Sequence, residues 1–118
     1  MDRETTLRGL YAALNAGDAV RAAASLTEDC TFHILPNPLV PDPQTVRGRA
    51  ACEEFMRGVV SSTAVQQEVE AVTLNGDFAA VFVRSTSTDD AGANQEIRWA
   101  DLMRFEGDQI AEHVALST

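Results

Sequence analysis

Basic residues are scarce in this chain: 9 Lys plus Arg stand against 18 Asp plus Glu, a formal charge of -9 at pH 7. The few basic side chains are scattered singly, whereas a phosphate backbone needs them clustered, which argues against nucleic acid as a partner. The same charge balance argues against an anionic membrane surface; its use is solubility. No run approaches the roughly 18 continuous apolar residues of a membrane span. The opening M-D-R-E-T-T is polar and lacks the apolar centre of a signal peptide, so the expected location is cytoplasmic. Cys30 and Cys52 are the only cysteines, and in a reducing compartment they are expected as buried thiols rather than a disulfide. His33 and His113 are far apart in sequence and no metal-ligand spacing is present, which argues against structural zinc.

What the 118 residues do contain is one domain's worth of ordinary globular sequence, 45% hydrophobic, read as a single domain over 1–118. Residues 5–15 place Leu7, Leu10, Tyr11 and Leu14 on one helical face, with Thr5 or Thr6 as cap and Gly17 closing the end. Asp18 can cap a second helix carrying Val20, Ala23 and Ala24. Residues 30–35 read as a short strand. The stretch 36–43 holds all 4 prolines and is a stiff loop, either a pocket rim or a plain connector. A third helix is expected over 47–61 with Ala51, Phe55 and Val59 along one stripe, and Arg47, Arg49, Glu53 and Glu54 on an exposed face. Strands are expected over 65–74, 78–86, 95–105 and 109–116, with turns at Asn75-Gly76 and Gly107-Asp108. The layout is α+β: three helices on the N-terminal side, packed on a curved antiparallel sheet that leaves a cone-shaped hollow. The outer sheet face would still carry apolar residues, which suggests a homodimer through it.

The order of elements, with A-A-L-N-A-G-D near the start, V-R-G-R opening the third helix and D-L-M-R-F-E-G-D-Q-I near the end, resembles the SnoaL-like branch of the nuclear-transport-factor-2-like (NTF2-like, cystatin-like) superfamily. The resemblance spans nearly the whole chain. It implies a cone with an apolar pocket, usually a homodimer, and no single chemistry, because relatives include isomerases, dehydratases, cyclases, epoxide hydrolases and non-enzymes. It implies neither cofactor nor metal. Ketosteroid isomerase, to which the chain is distantly similar, is a standard example of a protonated Asp in an oxyanion hole. That family's first-helix Tyr falls at Leu10 here, with Tyr11 one residue and about 100° of helix rotation away, so Tyr11 is not expected to substitute directly. The family's base falls at Ile34, which accepts no proton. Only the second donor has a counterpart, Asp101. The Arg that limonene-epoxide hydrolases carry two residues before this Asp is Trp99 here, and Arg98 points to the other face.

Asp101 is therefore the first candidate. It shares a strand face with Ile97, Trp99, Met103 and Phe105, and an acid among large apolar neighbours suits donating or shuttling a proton. A backbone donor or Arg84 could instead simply satisfy it. His113 is the second candidate, as a base coupled to Asp101. A plain two-residue hairpin would put Glu112 rather than His113 on the face of Asp101, whereas a bulge would restore His113; both alternatives stand. His33, on the opposite side of its strand from Ile34, is expected to point away. Tyr11, Leu14, Phe32, Ile34, Phe55, Phe82, Trp99 and Met103 are the expected pocket walls, holding a hydrophobic small molecule. The function expected is acid–base isomerisation, cyclisation, dehydration or hydrolysis of such a molecule; the alternative is a non-catalytic ligand-binding or dimerising accessory domain.

Overall fold

A computed structural model describes residues 2–36, 42–62, 66–88 and 91–117. The first helix, α1 (Arg3–Asn15), begins two residues earlier than its apolar periodicity suggests. Its cap is Asp2, not Thr5 or Thr6: the Asp2 carboxylate accepts from the Thr5 amide at 2.7 Å, and that bond holds its pKa below the ordinary value. A short second helix, α2 (Ala19–Ala23), is capped by Asp18 as its sequence suggests.

Strand β1 (Leu26–Ile34) is longer than the expected 30–35 and starts directly after α2. The polar stretch Thr27 to Asp29 hid its beginning from an apolar count. Of the Pro-rich stretch, 37–41 lie outside the described residues, so its role as a rim is a matter of sequence alone. Behind it β2 (Gln44–Arg47) forms an edge strand in the gap between the expected loop and third helix, taking Arg47 from the latter. Gly48, at φ 90°, then turns the chain into α3 (Arg49–Ser62), its amide donating to Cys30 O at 2.7 Å. A side chain there would be strained, because only glycine adopts this backbone readily. The buried stripe of α3 is Cys52 and Met56 with Phe55 and Val59 beside them, whereas Ala51 is exposed.

Four strands join the sheet after α3: β3 (Gln66–Asn75), β4 (Phe78–Thr88), β5 (Asn94–Glu106) and β6 (Gln109–Ser117). The spatial order is β2-β1-β6-β5-β4-β3. The hairpin-linked neighbours are antiparallel, as tight turns require, but β1 and β6 pair in parallel. The sheet is thus mixed. The long excursion between β1 and β6 through α3 and four strands allows a parallel pairing that no short turn could make.

The three helices among the described residues lie against one sheet face. Leu7, Leu26, Val81, Val83, Met103, Phe105 and Ile110 are fully buried between the layers. Arg3 fastens the narrow end: its guanidinium donates to Gly107 O, Gly76 O and Asp77 Oδ1 at 2.8, 2.7 and 2.9 Å and sits 5.5 Å from the centre of the Phe105 ring. One cation thereby ties α1 to both hairpin turns.

Candidate active site

The decisive local feature is a bulge. At the β5–β6 hairpin Phe105 pairs with Ile110, but Arg104 pairs with Glu112 and Met103 with His113. Ala111 is the extra residue, and from there on every β6 side chain changes face relative to a regular ladder. His113 therefore turns inward and Glu112 outward. This resolves the two alternatives left by the hairpin sequence. Glu112 lies outside with His33, whose Nε2 is 3.0 Å from Glu112 Oε2, and with Arg104 at 3.5 Å.

Inside, three side chains from distant parts of the chain converge. Asp101 on β5 is 2% exposed and Tyr11 on α1 is 3% exposed. The Tyr11 hydroxyl donates to Asp101 Oδ2. His113 Nε2 lies 3.0 Å from Asp101 Oδ1, yet neither atom makes a well-directed hydrogen bond, and His113 Nδ1 is likewise buried without a partner. Burial, reinforced by the Asp101 charge and by the bond to it, pushes the Tyr11 phenol well above its ordinary value of 10.0, so Tyr11 remains a donor. Arg84 does not reach this acid; it pairs on the outer face with Glu68. Arg98 likewise pairs outside, with Glu70 at 3.3 Å.

The participation of Tyr11 corrects the expectation drawn from its one-residue offset. Leu7, Leu10, Tyr11 and Leu14 occupy i, i+3, i+4 and i+7, a stripe wide enough for Leu10 and Tyr11 to face the sheet together. The long phenol then spans the gap that 100° of rotation leaves.

The triad lies in a cavity of about 100 Å³ that is not sealed from solvent. Tyr11, Leu14, Phe32, Ile34, Phe55 and Trp99 line it with Asp101 and His113, all at positions singled out from the sequence. The rings of Phe32 and His113 meet edge-on at 5.0 Å, and Phe32 meets Phe55 in the same way at 6.4 Å. Two expected wall residues are elsewhere. Phe82 is on the outer face, 54% exposed, because the inward residues of β4 are Ala79, Val81, Val83 and Ser85. Met103 faces inward but is packed into the solid end of the core rather than against the void. Leu10, Met56, Val59, Gln67, Ala115 and Leu116 complete the lining. Helical spacing around Phe55 could have found Met56 and Val59. Gln67 follows from sharing the inward alternation of Val69, but its polarity masked it.

The sequence matches the SnoaL-like domain family over residues 7–113. The chain belongs to that family. Among solved structures, an NTF2-like protein of unknown function from Burkholderia pseudomallei is similar with a TM-score of 0.86 at 19% identity, covering 100% of this chain and 92% of that one. A putative isomerase from Bacillus subtilis gives 0.84 at 13% identity, covering 98% and 86%. The Mycobacterium tuberculosis protein Rv0760c, crystallised with estradiol-17β-hemisuccinate, gives 0.81 at 16% identity, covering 96% and 91%. No curated protein matches the sequence. This SnoaL-like domain thus has the NTF2-like, cystatin-like α+β cone. None of its described helices is long and apolar enough to cross a membrane.

Proposed function

We propose that this SnoaL-like protein binds a neutral, largely apolar small molecule in the cone and moves a proton on it, in an isomerisation, cyclisation, dehydration or hydrolysis. The observation that carries this reading is the buried Tyr11–Asp101–His113 cluster opening onto a largely apolar cavity. Apolar walls favour a neutral ligand, because burying an ion without a partner is costly. Asp101 and His113 form the acid–base couple, the imidazole taking or delivering the proton while the carboxyl group holds its orientation. Tyr11, kept protonated by burial, orients Asp101 from the other side. The Mycobacterium tuberculosis neighbour was crystallised with a steroid hemisuccinate, whose ring system, though not its carboxyl end, is of this apolar kind.

Ile34, which meets the cavity at the end of β1, offers neither acid nor base there; this disfavours the ketosteroid isomerase reaction and favours one second reading: ligand binding without chemistry. Proton exchange in D2O separates the two. Neutral ketones that raise the melting temperature are screened by NMR for exchange of the protons next to the carbonyl. Catalysed exchange that vanishes in Asp101→Asn and His113→Ala supports the enzyme. Tight-binding ketones that never exchange in the wild type leave the binding reading. The proposal includes a homodimer through the outer sheet face, supported by Phe78 at 60% and Phe82 at 54% exposure, with Leu102 beside them.

A further inference from the structure

Trp99, a wall residue of the cavity, carries a polar group that the proton-transfer cluster does not use. Trp99 lies two residues before Asp101 on β5 and on the same face, about 7 Å away by strand rise. Its indole nitrogen is buried and has no hydrogen-bond partner. Buried N–H groups are seldom left so, because each forfeits its hydration for nothing. The neighbouring ladder positions add to this. Val83 pairs with Trp99, and one inward step along β4 Ser85 pairs with both Ile97 and Gln67. The Ser85 hydroxyl is also buried and unpartnered, and the Gln67 side chain lines the cavity. Trp99 and Gln67 on the cavity wall, with Ser85 behind them, thus form a second polar station one inward step along β5 from Asp101.

We infer that Trp99 is a specificity-determining hydrogen-bond donor, and that the ligand is a ring compound oxygenated at two separated positions. This rests on the proposed function of the cavity and narrows its ligand class. One oxygen meets Tyr11, Asp101 and His113. The other accepts from the Trp99 indole, which can only donate, so it is a carbonyl, ether or hydroxyl oxygen. The size agrees: a dry cavity of roughly 150 Å³ holds one benzene ring, and this one, about 100 Å³ but unsealed, accommodates a single ring with a substituent toward the opening.

The test pairs two probes with two proteins. 4-Hydroxyacetophenone and 4-ethylphenol share the ring and hydroxyl, and only the first has an acceptor opposite. Calorimetric titration of the wild type is expected to give about fivefold tighter binding of the ketone, the size of one net hydrogen bond. In Trp99→Phe that ratio falls to about one, whatever the new wall does to the affinity of both probes together. A ratio that persists in Trp99→Phe overturns the inference. Should that variant fail to fold, the wild type decides, since its sole tryptophan gives one indole N–H resonance. That resonance moves downfield with the ketone and not with 4-ethylphenol; equal shifts refute the donor role. Asp101→Asn distinguishes the two levels. Loss of the Trp99 effect with Asp101 dependence intact sinks this inference alone. Absence of binding by either probe removes the proposed cavity function and the inference with it.

Discussion

Tyr11→Phe deletes one oxygen atom from the interior and leaves the ring in place. In the wild type that oxygen donates to Asp101 Oδ2, and both residues are almost entirely shielded from water. The variant strands a buried acceptor whose remaining neighbour, His113, approaches without good alignment. Stranding a buried acceptor costs about 1–3 kcal/mol. Against a total stability of roughly 5–15 kcal/mol, such a loss is easily measured. Urea denaturation should show a lower midpoint at an unchanged slope, with the melting temperature down by roughly 5–10 °C. The Tyr11→Phe and Asp101→Asn effects should also be strongly non-additive, since each removes the same contact. A loss below about 0.5 kcal/mol, or simple additivity, would mean that the phenol and carboxyl are not coupled, and the site as described would fall.

The same residue gives a spectroscopic check, because Tyr11 is the sole tyrosine. Its raised pKa means that folding favours the neutral phenol, so this contribution to stability is complete below pH 10 and declines above it; tyrosinate absorbance should emerge only with alkaline unfolding. Cys30 and Cys52, fully buried with sulfurs 3.5 Å apart, should both resist a thiol reagent at pH 8 and react once denatured. Burial pushes the Cys52 thiol from 9.0 up to about 12, so its stabilisation should fade at about 1.4 kcal/mol per pH unit across that interval, and Cys52→Ala should flatten the loss. Arg3→Ala removes three hydrogen bonds at the two hairpin turns and is expected to cost about 1–2 kcal/mol, read from the urea midpoint. Phe82→Glu should convert a dimer to monomers in sedimentation without altering ligand affinity; a wild type that sediments as a monomer at micromolar concentration would end the dimer proposal.

Much of this molecule was legible from periodicity and turn chemistry, because those signals are local. The α1 stripe, the Asp18 cap, the Asn75-Gly76 and Gly107-Asp108 turns and the alternation around Asp101 each depend on neighbours a few residues away. Phe82 shows where alternation stops being informative. Phe78 and Phe82 look like core by residue type, but the inward set of β4 is built from Ala79, Val81, Val83 and Ser85. Strand β2 escaped notice because an exposed edge strand has neither an apolar face nor a regular alternation.

The identity of the buried acid and the apolar character of its surroundings were written in the chain, since period two along β5 follows from backbone geometry alone. Its partners were not. Whether His113 or Glu112 stands beside Asp101 depends on one extra residue, Ala111, in a pairing between two strands, and a single-residue slip exchanges the faces. Whether Tyr11 reaches the acid depends on how α1 is rotated against a sheet 90 residues later in sequence. Rotation and register are settled by packing across the whole core, and no short window of residues contains that information.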